Sequence, residues 1–323
     1  MEATIGSAIL VLAAILDYWI GDPWGWLHPV QVMGWIISRY SDWVLEHFRG
    51  QRMRRIAGVL LGVGLILGSG LVGMGWIRGL SWIHPVLGAI AAIILLASCF
   101  AGRSLRRAAE DVLAPLEAGN LEGARSRLSQ YVGRETQNLS ESEILRAVLE
   151  TVAENAIDGV TAPLFYGILG LLLFGSSGVA LALAYKAAST LDSMVGYKTE
   201  PFADLGWFSA QLEDVLTLLP CRITVCAIAL FSGKPRYVFQ LCRRDASKDP
   251  SPNSGWSECA YAAALGVQLG GENVYGGIVK EKPRLGEPQK PITREVVEEA
   301  LGLTRACVLL GLGVGIALSL ICI

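Results

Sequence analysis

Apolar residues run together at 5–20, 56–77, 85–100 and 306–323. About 20 mostly apolar residues carry a helix across the hydrocarbon core of a bilayer, so each run predicts a membrane span, the first a slightly short one. In the clearest run, Gly58, Gly62, Gly64 and Gly68 give small-xxx-small spacings that let helices approach closely. Two further runs are interrupted. The one at 162–184 contains Gly175, Ser176, Ser177 and Gly178 and reads either as one tilted span or as a hairpin with its tip there. The one at 214–231 contains Pro220 and Arg222, which predicts a broken, re-entrant or merely buried segment. The apolar pattern by itself leaves these alternatives open.

Between the runs the pattern becomes polar. The first connection holds Arg39, Arg49, Arg52, Arg54 and Arg55, whereas the one after 56–77 holds only Arg78. Basic loops stay in the cytoplasm, so the first connection is expected there, as is the insert at 101–157. That insert shows amphipathic helices broken at Gly119-Asn120. A new helix begins at Ser140, where Glu143 completes a capping box. A loop-rich cytoplasmic region is expected at 232–300. No strand-like alternation is sustained. The predicted fold is all-α: a polytopic helical membrane protein with cytoplasmic helices and loops, one integral domain over 1–323.

Composition supports a membrane protein. The 323 residues are 52% hydrophobic and 17% charged, against about 25% charged in soluble domains. A net charge of −2 gives no basic face for nucleic acid. The first apolar run lacks the basic segment of a secretory signal. Seven scattered cysteines without a C-x-x-C pair read as small buried apolar side chains. Three histidines without an H-E-x-x-H motif make a histidine-built zinc site an unfavoured reading. P-loop and G-x-S-x-G motifs are missing from the sequence.

Four stretches carry candidate chemistry. Glu150, Glu154 and Asp158 recur every fourth residue beside Thr151 and Asn155. Like charges at that spacing repel, and no intervening basic residue offsets them. A hard cation such as Mg²⁺ would explain the stack; a solvated acidic face is the other reading. Lys186, Thr190 and Ser193 share one helical face near Asp192, which fits either a cavity lining or a segment at the lipid headgroups. Asp17, Asp22 and His28 punctuate an aromatic turn whose tryptophans suit an interfacial belt. Finally, "RRDASKDPSPNSGWSECAYAAALG" at 243–266 places Asn253 and Ser254, both good caps, before a small-residue helix. Backbone N–H groups there would suit an anion, with Arg243, Arg244 and Lys248 adding charge, although a plain turn fits too.

Five blocks, in order, carry a resemblance: "LDYWIGDPWGWLHPVQVMG", "ETVAENAIDGVTAPLFY", "LDSMVGYK", "FADLGWFSAQLEDVLTLLPCRI" and "RRDASKDPSPNSGWSECAYAAALGVQLGGENVYGG". Together they resemble the membrane-bound adenosylcobinamide-phosphate synthases of cobalamin biosynthesis over nearly the whole chain. Cys221 departs from the pattern, standing where a small residue is usual.

The resemblance implies an acid–amine ligase that uses ATP and Mg²⁺. It would join (R)-1-amino-2-propanol, or its O-phosphate, to adenosylcobyric acid, a corrinoid substrate, in the inner cell membrane with the site facing the cytoplasm. It assigns Glu154, Asn155 and Asp158 to Mg²⁺. Ser251, Asn253, Ser254, Lys248 and His28 would serve substrate or phosphate. Arg244 and Lys186 would stabilise phosphoryl or oxyanion charge, and Asp192 or Asp22 would accept the ammonium proton. Association with other cobalamin-pathway enzymes or further copies of the chain stays open. Rival readings are a transporter for a corrinoid or small amine, with intramembrane acids as ion sites, and a non-catalytic scaffold for pathway enzymes.

Overall fold

The computed structural model describes residues 2–21 and 28–322; the candidate acid Asp22 lies outside them. The chain folds into helices α1 (Glu2–Trp19), α2 (Pro29–His47), α3 (Gln51–Ile83), α4 (Pro85–Ala97), α5 (Gly102–Glu117), α6 (Leu121–Leu128) and α7 (Glu141–Ala156). A π-helical turn at Ile157–Thr161 leads into α8 (Ala162–Phe174), a 3₁₀ turn (Gly175–Val179), α9 (Ala180–Val195), α10 (Trp207–Phe231), α11 (Pro235–Asp245) and α12 (Ser254–Leu265). Strands β1 (Gln268–Tyr275) and β2 (Ile278–Gly286) precede the closing helix α13 (Arg294–Cys322). Among the described residues five helical runs are long and apolar enough to cross a membrane: Gln51–Ile83, Pro85–Glu117, Glu141–Val195, Trp207–Phe231 and Arg294–Ile321. The chain is thus a helical, multi-pass membrane protein.

Two compact units divide the residues. The first comprises Met1–Gly102, Ala162–Thr217 and Gly311–Ile323; the second comprises Arg103–Thr161 and Leu218–Leu310. In the first, α3 packs on α4 and α9, and α8 packs on α9. Two of the four spaced glycines give the close approach expected of them: a Cβ on Gly58 would lie 2.0 Å from Leu205 O, and one on Gly62 2.7 Å from the Phe208 ring. Gly64 and Gly68 face open space.

The interrupted run at 162–184 reverses direction. Tyr166 and Tyr185 stack with ring centroids 4.9 Å apart, whereas a straight helix would separate them by about 28 Å. The run is a helical hairpin.

The segment 214–231 corrects the expectation. It belongs to a continuous 25-residue helix with Pro220 inside, about 37 Å long and able to span. Pro220 has no N–H for the Leu216 carbonyl four residues back. The Tyr166 hydroxyl donates to that carbonyl instead, at 2.8 Å. Replacement of the missing bond lets the helix run through.

In the second unit the capping box of α7 forms as predicted: Ser140 Oγ accepts from Glu143 N, and Glu143 Oε2 accepts from Ser140 N at 2.7 Å. The region 232–300 is not loop-rich. It holds α11, α12, the start of α13 and an antiparallel hairpin, β1 paired with β2, an addition that the helical pattern had not foreshadowed. Gly276 and Gly277 both take positive φ at its tip, as a two-residue hairpin turn requires.

Candidate active site

Four elements of the second unit gather the charged groups. The last turns of α7 carry Glu150 and Glu154, the π turn carries Asp158, α12 carries Glu258, and β2 carries Lys282. Helix α12 packs against α7 and both strands. Ser257 Oγ donates to Ala153 O at 2.5 Å, fixing the first turn of α12 beside the acid-bearing end of α7. Single π turns recur at functional sites, and Asp158 sits in this one.

Glu150 is only 2% exposed and fully occupied. Arg134 donates to Oε2, while Arg146 Nη1 and Gly270 N donate to Oε1 at 3.1 and 2.9 Å. Arg146 also donates to the carbonyls of Gly270 and Glu272 at 2.8 and 2.9 Å. The bulge between Leu269 and Gly271 leaves Gly270 outside the ladder, which supplies these groups. Gly270 has a φ of +86°, and a Cβ there would lie 2.0 Å from Pro283 O. Arg146 therefore compensates the repulsion that the acid spacing implied. Glu150 ties α7 to the hairpin and is not an orphan charge.

Glu258 differs. It is fully buried. Lys282 Nζ donates to Oε1 at 2.6 Å, but Oε2 has no hydrogen-bond partner among the described residues. Burial pushes this carboxyl up, Lys282 pulls it down, and the charges of Glu154 and Glu150 push it up again, to about 8. Glu154 keeps solvent contact. Asn155, also exposed, donates its Nδ2 to Thr151 O at 2.9 Å, leaving its amide oxygen available to a cation. Among the described residues no group of three or more His, Cys, Asp or Glu side chains could hold a metal ion.

The turn before α12 is held from several sides. Asp249 Oδ1 accepts from Ser251 N at 2.9 Å and from the Ser254 hydroxyl at 3.2 Å. Ser251 Oγ accepts from Asn253 N and Ser254 N at 3.3 and 3.2 Å. Asn253 occupies the cap position without a side-chain capping bond, so Ser251 does the capping expected of Asn253 or Ser254. Arg222 Nη2 donates to Pro252 O at 3.0 Å and its guanidinium lies 4.3 Å from the centre of the Trp256 ring. Cys221 donates its thiol to Asn253 O at 3.4 Å. An arginine that looked misplaced in an apolar run thus braces the turn.

Arg244 and Lys248 have partners as well. Both bind Asp245: Arg244 through Nε and Nη2 at 2.9 and 2.8 Å, Lys248 through Nζ at 2.7 Å. Arg244 Nη1 also meets Glu287 at 2.8 Å. The structure therefore brings Glu154, Asn155, Asp158, Arg244, Lys248, Ser251, Asn253 and Ser254 into one unit. Lys186, Asp192 and His28 belong to the other. There His28 caps α2, accepting from Val30 N at 3.3 Å, and Asp192 lies against Gly196, whose Cβ would fall 2.0 Å from Oδ1. Sequence reasoning missed Glu258, Lys282, Arg134 and Asp245. An acid within the small-residue run SGWSECAYAAAL was the available signal for Glu258, since buried acids need partners.

With this geometry in place, the sequence can be set beside known proteins. A family model described as CobD/Cbib protein matches residues 10–304. The chain belongs to the CobD/CbiB family. A relative from Synechocystis sp., named cobalamin biosynthesis protein CobD, is 50% identical over 97% of this chain and 92% of its own length. A protein of the same name from Halalkalibacterium halodurans is 42% identical, over 93% and 92%. The cobalamin biosynthesis protein CbiB of Salmonella typhimurium is 38% identical, over 90% and 91%. CobD/CbiB membership thus covers the residues of both α7 and α12. No solved structure matches the chain.

Proposed function

We propose that this protein acts in cobalamin biosynthesis as an ATP-dependent acid–amine ligase, joining (R)-1-amino-2-propanol or its O-phosphate to the free carboxylate of adenosylcobyric acid. Condensing a carboxylate with an amine in water is uphill, so a phosphoryl group from ATP first converts the acid to an acyl phosphate. The amine then attacks the carbonyl carbon, forming the C–N bond as the C–O bond to phosphate breaks. The amine surrenders a proton in that step.

The observation that carries this reading is the fastening of the acid-bearing end of α7 to the turn opening α12, through Ser257 and Ala153. The oxygen donors of Glu154, Asn155 and Asp158 suit Mg²⁺, which is usually held by one or two carboxylates with substrate phosphates completing its shell. When bound, it would neutralise charge on the transferring phosphoryl group. Ser254, Ser251 and Lys248 would line the phosphate side, and a phosphate entering there exchanges with the bonds that Asp249 and Ser251 now make. Arg134 and Arg146 hold Glu150, and through it the hairpin, so that Lys282 and Glu258 stay in register behind the acids. Lys186 and Asp192 lie on α9 of the first unit, and the resemblance gives Asp192 the role of proton acceptor.

The test is direct. Purified protein is supplied with ATP, Mg²⁺, adenosylcobyric acid and aminopropanol phosphate, and products are followed by mass spectrometry. An amide product with stoichiometric release of phosphate is expected. Intact substrates with folded protein, across both forms of the amine, would overturn the proposal.

A further inference from the structure

At one end of the first unit lies a cavity of about 540 Å³. Its wall comes from helix ends: the start of α1, the end of α3, Pro85 of α4, the tip of the α8–α9 hairpin and the end of α13. Helix α4 separates it from Lys186. Pro85 at the start of α4 lines the cavity, whereas the charge of Lys186 acts on Cys99, just past the other end, about 20 Å away along the helix. The cavity is distinct from the groups discussed so far.

Its chemistry is two-sided. Arg78 is the one charged residue in the lining, joined by the hydroxyls of Ser81 and Ser176, while Leu171, Leu173 and Phe174 supply an apolar wall. Among the described residues Arg78 has no hydrogen bond or ion pair. The hydroxyls of Ser177 and Ser319 donate to their own helices, to Phe174 O at 3.1 Å and Gly315 O at 2.8 Å. The donors facing an occupant are therefore Arg78, Ser81 and Ser176. Trp82, next to Ser81, is 92% exposed. Tryptophan so placed at the end of an apolar helix marks the headgroup level of a bilayer. Arg78 lies one turn deeper, and Leu173 and Phe174 are exposed beside it.

We propose that this cavity binds the phosphate-bearing headgroup of a membrane phospholipid. Arg78, Ser81 and Ser176 donate to the phosphate, and the acyl chains lie against Leu173 and Phe174. A guanidinium recognises phosphate by paired charge-assisted hydrogen bonds, and the volume matches that of small-ligand sites. Free phosphate would leave the apolar wall uncovered, so the lipid is the favoured source.

Native mass spectrometry of the full-length protein in detergent tests this, with phosphatidylglycerol, diacylglycerol or inorganic phosphate added. The wild type should retain one phosphatidylglycerol that inorganic phosphate does not displace, and should hold diacylglycerol far more weakly. Arg78→Gln should weaken phosphatidylglycerol binding at least about tenfold, the loss expected for one charged hydrogen bond. Ser176→Trp, which fills the cavity and keeps Arg78, should do the same. Arg52→Gln, an exposed arginine outside the cavity, should bind as the wild type. Wild-type binding by both cavity variants would overturn the proposal. Equal retention of diacylglycerol, or displacement by free phosphate, would overturn it too.

Discussion

Asp245 and Glu258 are both buried carboxylates of the second unit, yet their surroundings drive them in opposite directions. Asp245 receives four donors: Arg244 twice, Lys248, and Gly286 N at 3.2 Å. Burial pushes its carboxyl up, but these hydrogen bonds outweigh burial and hold it at about 2. Glu258 receives one donor, Lys282, faces two other acids, and rises to about 8. Both side chains are closed to solvent, but Glu258 lies much deeper than Asp245, so depth of burial and donor count together set the charge. A fully bonded acid holds structure. A half-bonded one near an exposed acid, Glu154, is where a proton or a ligand can still be taken.

The comparison can be pressed hardest at Glu150, an extreme of the bonded class. Glu150→Ala leaves Arg134 and Arg146 as buried, unpaired charges, and a loss of about 3–5 kcal/mol is expected in chemical unfolding followed in detergent. A small loss would mean that the bonded acids do not hold the unit together. Asp245→Asn should cost less, about 1 kcal/mol, because Arg244 and Lys248 are half-exposed and water screens what remains. The stability that Asp245 contributes is present above the ordinary aspartate range. It should be lost as pH falls toward about 2, the position of its folded carboxyl.

Glu258 should show the reverse sign. Its folded carboxyl holds a proton up to about 8, whereas an unfolded glutamate loses it near 4.3. Between those limits the folded state binds more protons, so stability should fall as pH rises. Glu258→Gln should flatten that slope in thermal melts at a series of pH values; an unchanged slope would place the titration elsewhere. Smallest of all, Ser140→Ala should cost about 1 kcal/mol by removing a cap remote from both acids.

Much of this architecture was legible in the residues. Apolar run length located the runs of α3, α4 and α13 among those able to span, although it also offered 5–20, which is shorter than those runs. The spacing of Ser140 and Glu143 located the start of α7. Other features depend on partners far along the chain. Pro220 reads as a helix breaker until the Tyr166 hydroxyl is seen on the Leu216 carbonyl. Arg222 reads as an oddity until Pro252 and Trp256 receive it. The hairpin was hidden because burial alternates along β1 whereas β2 is exposed along most of its length, which blurs a period of two. At the candidate site, the four-residue spacing picked out Glu150 and Glu154 alike. Only the bonds to Arg134, Arg146 and Gly270 separate the acid that holds the fold from the one that keeps contact with solvent.

The account rests on the less constrained acids at the end of α7 serving chemistry while the fully bonded ones serve the fold. Amide formation measured side by side for Glu154→Gln and Asp245→Asn, with matched folded protein, tests it most directly. The account predicts that Glu154→Gln loses at least about 100-fold in rate, as expected when a group stabilising transition-state charge is removed, while Asp245→Asn stays within a few-fold of the wild type. Full activity in Glu154→Gln, or a folded but inactive Asp245→Asn, would contradict it.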